Sequence, residues 1–333
     1  MKGLVKMKAI LVNDDKTLRW ADVPNPVIKD DEVLVKIAAA AVNRADLMQR
    51  EGNYPPPPGC PEWMGLEISG EIVEVGSEIP KLSAWKCGDK VCALLGGGGY
   101  AEYAAVKYDM LMPVPEGCSL TEAAAIPEAF ATSYLNLFIE GRIKPGNTLL
   151  VTGGNSGLAS VMIPMARAFG CRTVATVRGA DKAKAIESFG ADILIDTKAG
   201  KLSDALSREA SAGRTIDVAI DCVGGEDMGD CLPYMTHGGR WIMIAALAGF
   251  DTHIDLKNIY VRNVRIIGST LRSRAPEVKA KILAELVDKI WSKIESGDIR
   301  PTIYKVLPIT EAEKAHALLY NSESVGKVVL TVK

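Results

Sequence analysis

The sequence predicts an α/β protein made of an all-β, barrel-like part and a doubly wound parallel sheet. Three observations carry that expectation. Before residue 120 the chain reads as short strand-like runs separated by turn residues. Beyond it the pattern becomes strand, helix, strand, helix, the order of a parallel sheet with helical crossovers. A glycine-rich turn, Gly153–Gly157, joins the first strand of that second region to the helix that follows.

In order, the first region offers Glu32–Ile37 (EVLVKI), Glu71–Val75 (EIVEV), Lys90–Ala93 and Ala101–Val106 as strands. Tyr54–Gly59 (YPPPPG) and the four glycines Gly96–Gly99 punctuate them. The second region offers strands Thr148–Thr152, Thr173–Val177, Ile193–Asp196, Val218–Asp221, Arg240–Ala245 and Val264–Ser269. Helices fit between them at Leu158–Phe169, Asp181–Phe189, Leu202–Ala210 and Asp227–Met235. Pro164 lacks a backbone donor, so it is expected to kink or shorten the first of these. The C-terminal part reads as helix Pro276–Glu295, strand Thr302–Leu307, helix Glu311–Tyr320 and strand Lys327–Val332.

Composition narrows the function classes. At about 150 residues per domain, 333 residues suggest two domains. Hydrophobic residues are 48% and charged residues 24%, enough apolar material for a full core. Lys and Arg number 39 against 41 Asp and Glu, which argues against nucleic acid or an anionic membrane surface as partner. The longest apolar run, Trp241–Phe250, is too short to cross a bilayer, and MKGLVKMKAILVNDD has no long apolar stretch of a secretory signal. Seven dispersed cysteines fit a reducing cytoplasm, so a cytoplasmic location is expected. Three histidines count against a multi-histidine metal site, and 31 glycines point to turns and phosphate contact.

The first chemical signal is TLLVTGGNSGLAS, Thr148–Ser160. A strand runs into a turn of small residues that lets the backbone approach a pyrophosphate, and a helix N-terminus follows to face its charge. On the G-x-G-x-x-G/A frame the positions are Gly154, Ser156 and Ala159, with Gly157 inside. One framework glycine makes a weak fingerprint by itself; the surrounding βα units strengthen the dinucleotide reading against an ordinary strand-to-helix turn. An NAD enzyme places a carboxylate about 20 residues further on. Here the second strand ends at Val177 and Arg178, and Lys182 follows. Arg178 can form a two-pronged contact with a 2′-phosphate, and Lys182 adds a second positive charge, so NADPH is expected. The alternative is a pair of solvated surface cations.

The second signal is spread over NRADLMQREGNY (Asn43–Tyr54), GLEISGEIVEVG (Gly65–Gly76), GDKV (Gly88–Val91) and YAEYAAV (Tyr100–Val106). These segments resemble the medium-chain dehydrogenase/reductase superfamily, from MKAI at Met7 to GKVVL at Gly326–Leu330. With AAAIPEAFAT (Ala123–Thr132), DCVGG (Asp221–Gly225) and LRSR (Leu271–Arg274), the chain resembles the zinc-free, zeta-crystallin-like quinone oxidoreductases. It is most similar to the NADPH quinone oxidoreductase branch induced by the tumour suppressor in animals. The resemblance implies a GroES-like β-barrel catalytic domain of residues 1–122 and 272–333, and a Rossmann NADP-binding domain of residues 123–271 inserted into it. It also implies a homodimer or homotetramer formed by sheet extension. MKAI being the usual family opening, Met7 is an alternative start.

Alcohol dehydrogenases of this superfamily bind zinc through a Cys, a GHE histidine and another Cys. Here Leu66 stands at the histidine position, and neither the Asn43 segment nor PEAFAT (Pro127–Thr132) has a cysteine. Cys87, Cys92 and Cys118 are too dispersed for a structural zinc site, so no metal is expected. A nicotinamide hydride and an already electrophilic acceptor leave the protein to position the pair and to supply a weak donor at the acceptor oxygen.

Tyr54 is the first candidate donor: the quinone branch has a tyrosine in the matching segment, and the prolines behind it stiffen the loop. Packing of the loop is its alternative role. Ser156 matches the family's small hydroxyl near the cofactor, or simply caps the helix. Asn43 and Asp46 resemble the family's N-x-x-D segment lining the cleft, or form local turn hydrogen bonds. The resemblance carries further cofactor contacts onto Thr132 beside the nicotinamide, Gly157 and Leu158 at the pyrophosphate, and Cys222 and Val223 over the ribose and adenine side. Ala245–Leu247 and Ser269–Leu271 end the fifth and sixth strands, where ligands bind in such sheets. Ala245 and Ala246 replace the usual glycine, and Thr197 stands where relatives often hold the 2′-phosphate with a tyrosine, which shifts that work to Arg178.

Three function classes follow. The first is an NADPH-dependent quinone oxidoreductase acting on a small, electron-poor acceptor. The second is an NADPH-dependent reductase of activated C=C bonds in alkenals, enones or enoyl thioesters. The third is an NADPH-binding structural or RNA-interacting protein, against which the charge balance and the lack of a basic tract count.

Overall fold

Glu32–Ala41 buries Val33, Val35 and Ile37 and leaves Leu34 and Lys36 more exposed, the period-two alternation of a strand with one face in a core. A computed structural model describes residues 6–333 and divides into two compact units. The first holds residues through Ala131 with Arg272–Gly297 and Pro301–Lys333; the second holds Thr132–Leu271 with Asp298–Arg300.

The first unit contains a hairpin of β1 (Lys6–Val12) and β2 (Leu18–Pro24). Its main sheet is built on β3 (Glu32–Ala41), with β4 (Glu67–Val75), β5 (Lys90–Leu94), β6 (Tyr103–Lys107) and β7 (Leu111–Pro113). The chain returns to it later through β14 (Ile303–Pro308) and β15 (Lys327–Thr331), and the strand order is β14-β15-β3-β4-β5-β7. One edge of β3 is shared, with Glu32–Lys36 pairing β6 and Ala39–Ala41 pairing β15. Gly70 of β4 faces Ile37 across a register shift, and a Cβ there would lie 2.1 Å from the Lys36 carbonyl oxygen. Only glycine lets these two strands approach so closely.

The second unit is a parallel sheet of β8 (Thr148–Val151), β9 (Arg172–Val177), β10 (Ile193–Asp196), β11 (Ile216–Asp221), β12 (Met235–Met243) and β13 (Arg265–Gly268). Its order is β10-β9-β8-β11-β12-β13, the doubly wound arrangement in which the direction of strand addition reverses between β8 and β11 while all strands stay parallel. Leu150, Val174, Leu206, Ala219 and Trp241 meet in its core.

Several expectations need correction. β4 starts at Glu67 rather than Glu71, because Glu67–Gly70 is buried throughout and loses the alternating signal. β12 starts at Met235 rather than Arg240 and ends at Met243; its first half, Thr236–Gly239, has the composition of a turn. The helices predicted over Asp181–Phe189 and Asp227–Met235 are each a short α-helix, Ala180–Ala185 and Asp227–Cys231, followed by a 3₁₀ turn. Helix Ala159–Ala168 continues for four residues beyond Pro164. Helices Arg44–Arg50 and Pro127–Tyr134, the latter running into a π-helical stretch Leu135–Glu140, were not anticipated. Among the described residues, no helix is long and apolar enough to cross a membrane.

Candidate active site

In the second unit, the turn after β8 sits at the reversal point of the sheet. Gly153 has φ +68°, and a Cβ on it would lie 2.8 Å from Cys222 Sγ. Gly154 donates its N–H to the Thr176 carbonyl at 2.7 Å, and a Cβ there would lie 2.9 Å from that same oxygen. The turn is therefore pressed between the ends of β9 and β11, with no room for side chains at either glycine. Ser156 Oγ accepts from the Ala159 N–H at 3.1 Å, so the hydroxyl caps helix Ala159–Ala168. The N–H groups of Gly157 and Leu158 just precede that helix, where free donors accumulate.

Arg178 is exposed at the tip of β9 and Lys182 is half-buried in the next helix. Neither forms an ion pair among the described residues. The nearby carboxylate is Asp196, from the end of β10: its Oδ1 accepts from the N–H groups of Gly179 and Lys198 at 2.7 and 2.9 Å. Those bonds hold its pKa below the ordinary value. Thr197 Oγ1 donates to the Val177 carbonyl.

Asp221 organises the loop after β11. Its buried carboxylate accepts from Thr152 Oγ1 (2.6 Å), Trp241 Nε1 (3.1 Å) and the N–H groups of Val223 (2.9 Å) and Gly224 (3.0 Å). The Cys222 N–H donates to Thr152 Oγ1, and its thiol contacts the Thr152 carbonyl. The segment after β12 zips onto this loop, with the Leu247 and Ala248 N–H groups donating to the Cys222 and Val223 carbonyls. Ala245 and Leu247 are exposed, whereas Leu271 is buried. Ser269, just beyond β13, has a buried Oγ with no hydrogen-bond partner among the described residues. Near Thr132, whose carbonyl accepts from Asn136 Nδ2, Ser133 Oγ and Asn136 Oδ1 are likewise buried and unpartnered. These orphaned polar atoms and the two glycines with no room for a side chain suit a dinucleotide with polar groups at both ends.

In the first unit, Asn43 and Asp46 begin helix Arg44–Arg50. Asp46 is fully buried; its carboxylate accepts from the N–H groups of Asn43 (2.8 Å) and Gly65 (3.0 Å) and from the Tyr100 hydroxyl (3.1 Å). Burial raises its pKa to about 6 against the lowering effect of these donors. Tyr100 also meets His316 Nε2 at 3.3 Å. With the Tyr100 hydroxyl donating to Asp46, Nε2–H of His316 donates to the phenol oxygen, and the buried Nδ1 has no partner among the described residues. Burial lowers the His316 pKa to about 3.

Leu66 is buried, and Glu67 beside it pairs with Lys327 at 2.6 Å with both side chains inside the protein. Lys327 Nζ also reaches Asn43 Oδ1 (2.7 Å) and the Val42 carbonyl (3.3 Å), which satisfies its three protons. Glu67 Oε1 accepts from Asn43 Nδ2, and Oε2 from the Glu128 N–H at the start of helix Pro127–Tyr134. Among the described residues no three His, Cys, Asp or Glu side chains converge as metal ligands. The donor set at Leu66 does not fit a zinc ion.

Tyr54 is half-buried in the proline-flanked loop, with the Arg272 guanidinium 4.8 Å from its ring centroid. Burial raises the phenol pKa, Arg272 opposes that rise, and Glu128 adds to it. Within this unit, Asn43 and Asp46 share one network, and Tyr54 meets it through the same helix: Arg272 also binds Gln49 in the last turn of Arg44–Arg50. Sequence reasoning passed over Glu67, Lys327, Asp221 and Arg272. The available signal was a lone charge inside an apolar strand, in GLEISG and GKVVL.

Comparison with known proteins adds to this geometry. Residues 29–116 match the alcohol dehydrogenase GroES-like domain and residues 157–288 the zinc-binding dehydrogenase family. The chain is 30% identical over 306 residues to a quinone oxidoreductase-like protein 2 homolog of Nematostella vectensis, covering 91% of this chain and 82% of that protein. It is 28% identical over 313 residues to a quinone oxidoreductase of Mus musculus, covering 93% and 92%. An NAD-dependent alcohol dehydrogenase of known structure superimposes with a TM-score of 0.84 at 27% identity, over 98% of this chain and 100% of that one.

Proposed function

The chain belongs to the medium-chain dehydrogenase/reductase superfamily of pyridine-nucleotide-dependent oxidoreductases, and from that premise we propose that it is a zinc-independent, NADPH-dependent reductase that transfers a hydride to quinones. The observation that carries the reading is the pairing of quinone oxidoreductase relatives along nearly the whole chain with Leu66 and the Glu67–Lys327 pair where the superfamily's zinc enzymes place metal chemistry.

Reduced nicotinamide, when bound, supplies the hydride. Gly154, Ser156, Gly157 and Leu158 hold the pyrophosphate, with Cys222, Val223, Ala245 and Leu247 on the adjoining loops. Arg178 and Lys182, without ion pairs among the described residues, hold the 2′-phosphate. Thr132, Ser269 and the Leu271 backbone serve the nicotinamide side. Tyr54 donates to the acceptor oxygen, while Asn43 and the buried Asp46 fix the helix that carries its loop. In this reading, residues 1–122 and 272–333 form the catalytic domain and 123–271 the cofactor domain. The protein works in the cytoplasm as a homodimer or homotetramer. The unpaired edge of β13 and the exposed Tyr260, Val261 and Ile266 near it support sheet extension between copies. Light scattering of the purified protein reports the oligomer directly.

A second reading, reduction of activated C=C bonds, is favoured by one observation: a phenol, a proton donor, faces a guanidinium that opposes the effect of burial on it, and alkene reduction requires protonation at carbon. The deciding experiment follows NADPH oxidation with quinones, enals, enones and enoyl thioesters, in the wild type and Tyr54→Phe. Efficient quinone turnover that slows but persists in Tyr54→Phe, with enones poor throughout, supports the first reading. Efficient enone or enoyl-thioester turnover that collapses in Tyr54→Phe replaces it with the second. Nucleotide binding without turnover of any acceptor overturns both.

A further inference from the structure

Arg272 opens helix-bound residues Arg272–Gly297 of the first unit and is 6% exposed. A buried guanidinium normally faces a carboxylate, because an unpaired charge is costly away from water. Here every acceptor is neutral. Nε and Nη2 donate to the Gly96 carbonyl at 2.9 and 2.7 Å, Nη1 to the Tyr54 carbonyl at 3.1 Å, and Nη2 to Gln49 Oε1 at 2.6 Å. No carboxylate pairs with it among the described residues. The retained positive charge lies against the Tyr54 ring, within 4.8 Å of its centroid. The same side chain thus grips the backbone of the residue whose phenol it faces.

The site is built for this. Gly96, first of the four consecutive glycines, turns one carbonyl onto two guanidinium N–H groups, and a Cβ on it would strike Cys60 Sγ at 2.5 Å. Gln49 is itself nearly buried, and its Nδ-equivalent amide, Nε2, donates to the Glu62 carbonyl at 2.8 Å, which aims Oε1 at Arg272. Glu128 is the opposing charge on Tyr54.

We propose that Arg272 is the positioning residue for Tyr54: its fork fixes the Tyr54 backbone, and its uncompensated charge stabilises the phenolate left when Tyr54 gives up its proton. The inference rests on the reading of Tyr54 as donor. In the balanced step, a quinone accepts a hydride, two electrons and one proton, from NADPH and becomes the hydroquinone monoanion. The Tyr54 O–H then breaks, and its proton completes the hydroquinone. The phenolate is held beside the guanidinium until solvent returns the proton to the half-exposed side chain. Lysine in this place brings one point charge and cannot span the carbonyls of Gly96 and Tyr54 and the amide of Gln49 together.

The test uses the full chain with NADPH, a naphthoquinone and a cyclic enone, in Arg272→Met, Arg272→Lys and Arg272→Ala, each alone and with Tyr54→Phe. Arg272→Met is expected to lower kcat about tenfold or more for an acceptor that Tyr54→Phe impairs, with the KM for NADPH unmoved. In the Tyr54→Phe background the same change is expected to cost about twofold or less. Millimolar guanidinium restores Arg272→Ala and urea does not, and Arg272→Lys keeps the melting temperature while losing several-fold in kcat. If Tyr54→Phe impairs turnover but Arg272→Met costs the same factor with and without the phenol, or guanidinium fails to restore Arg272→Ala, the role of Arg272 is overturned and the donor reading stands. If Tyr54→Phe turns over both acceptors at the wild-type rate, the donor reading falls and takes this inference with it.

Discussion

At the scale of single residues, Lys327 does more than any sequence signal announced. Its ammonium, Glu67 and Asn43 form one closed set of hydrogen bonds, so removing a partner leaves a charge buried and alone. Lys327→Met is expected to destabilise the protein by about 3–5 kcal/mol, and the double change with Glu67→Gln by clearly less, as read by urea denaturation. Arg178→Ala is expected to raise the KM for NADPH about tenfold and leave that for NADH within about twofold, the loss of one charge-assisted contact. Equal losses for both cofactors would remove Arg178 from the 2′-phosphate. The residue types were partly legible: the cationic tip at Arg178 and the apolar Leu66 in GLE follow from the text of the sequence. The partners were not. Glu67 and Lys327 lie 260 residues apart, and no spacing rule links a strand residue to another across such a distance.

At the scale of elements, the sequence pattern placed most strands and lost the starts of two. Ile193–Asp196 and Pro276–Glu295 have the bounds their patterns predict. The start of β4 is invisible because all of Glu67–Gly70 is buried, and the first half of β12 because Thr-His-Gly-Gly reads as a turn. Helix Arg44–Arg50 was hidden in a motif read for its polar residues, although Asp46 accepting from the Asn43 N–H is the bond that starts a helix. The strand–turn–helix at Gly153–Leu158 was legible as a close-packed turn despite its single framework glycine. Its geometry gives a further expectation. Gly154→Val places a branched side chain against the Thr176 backbone, which cannot move without displacing β9. About 1–3 kcal/mol of stability should be lost, together with most of the thermal stabilisation that NADPH gives the wild type. A full NADPH-induced shift in the variant would show that the turn does not hold the nucleotide.

At the scale of the whole molecule, stability against pH reflects two buried groups joined through Tyr100. Asp46 titrates near pH 6 when folded against an ordinary 3.8, so its stabilising contribution is complete below about 3.8 and lost as pH rises through about 6. His316 titrates near 3 against 6.5, so its contribution is complete above about 6.5 and lost as pH falls toward about 3. Between about pH 6 and pH 4 the slopes oppose each other at about 1.4 kcal/mol per unit apiece. His316→Gln removes one of them. Relative to wild type, the variant should therefore gain about 3 kcal/mol between about pH 7 and about pH 4 in denaturant titrations. Parallel profiles would show that the ring takes up its proton as readily in the folded as in the unfolded state.

The division of the first unit has a consequence in time. Its sheet closes only when Val329 pairs with Ala41, whereas the parallel sheet of the second unit is drawn from one unbroken stretch, Thr132–Leu271, plus three residues. Closing the longer loop costs more chain entropy before any contact rewards it. During refolding, amide protons of β8, β9 and β11 should acquire protection ahead of those in β3 that face β15. An interrupted fold would then hold its glycine-rich turn while Glu67 still waited for its lysine.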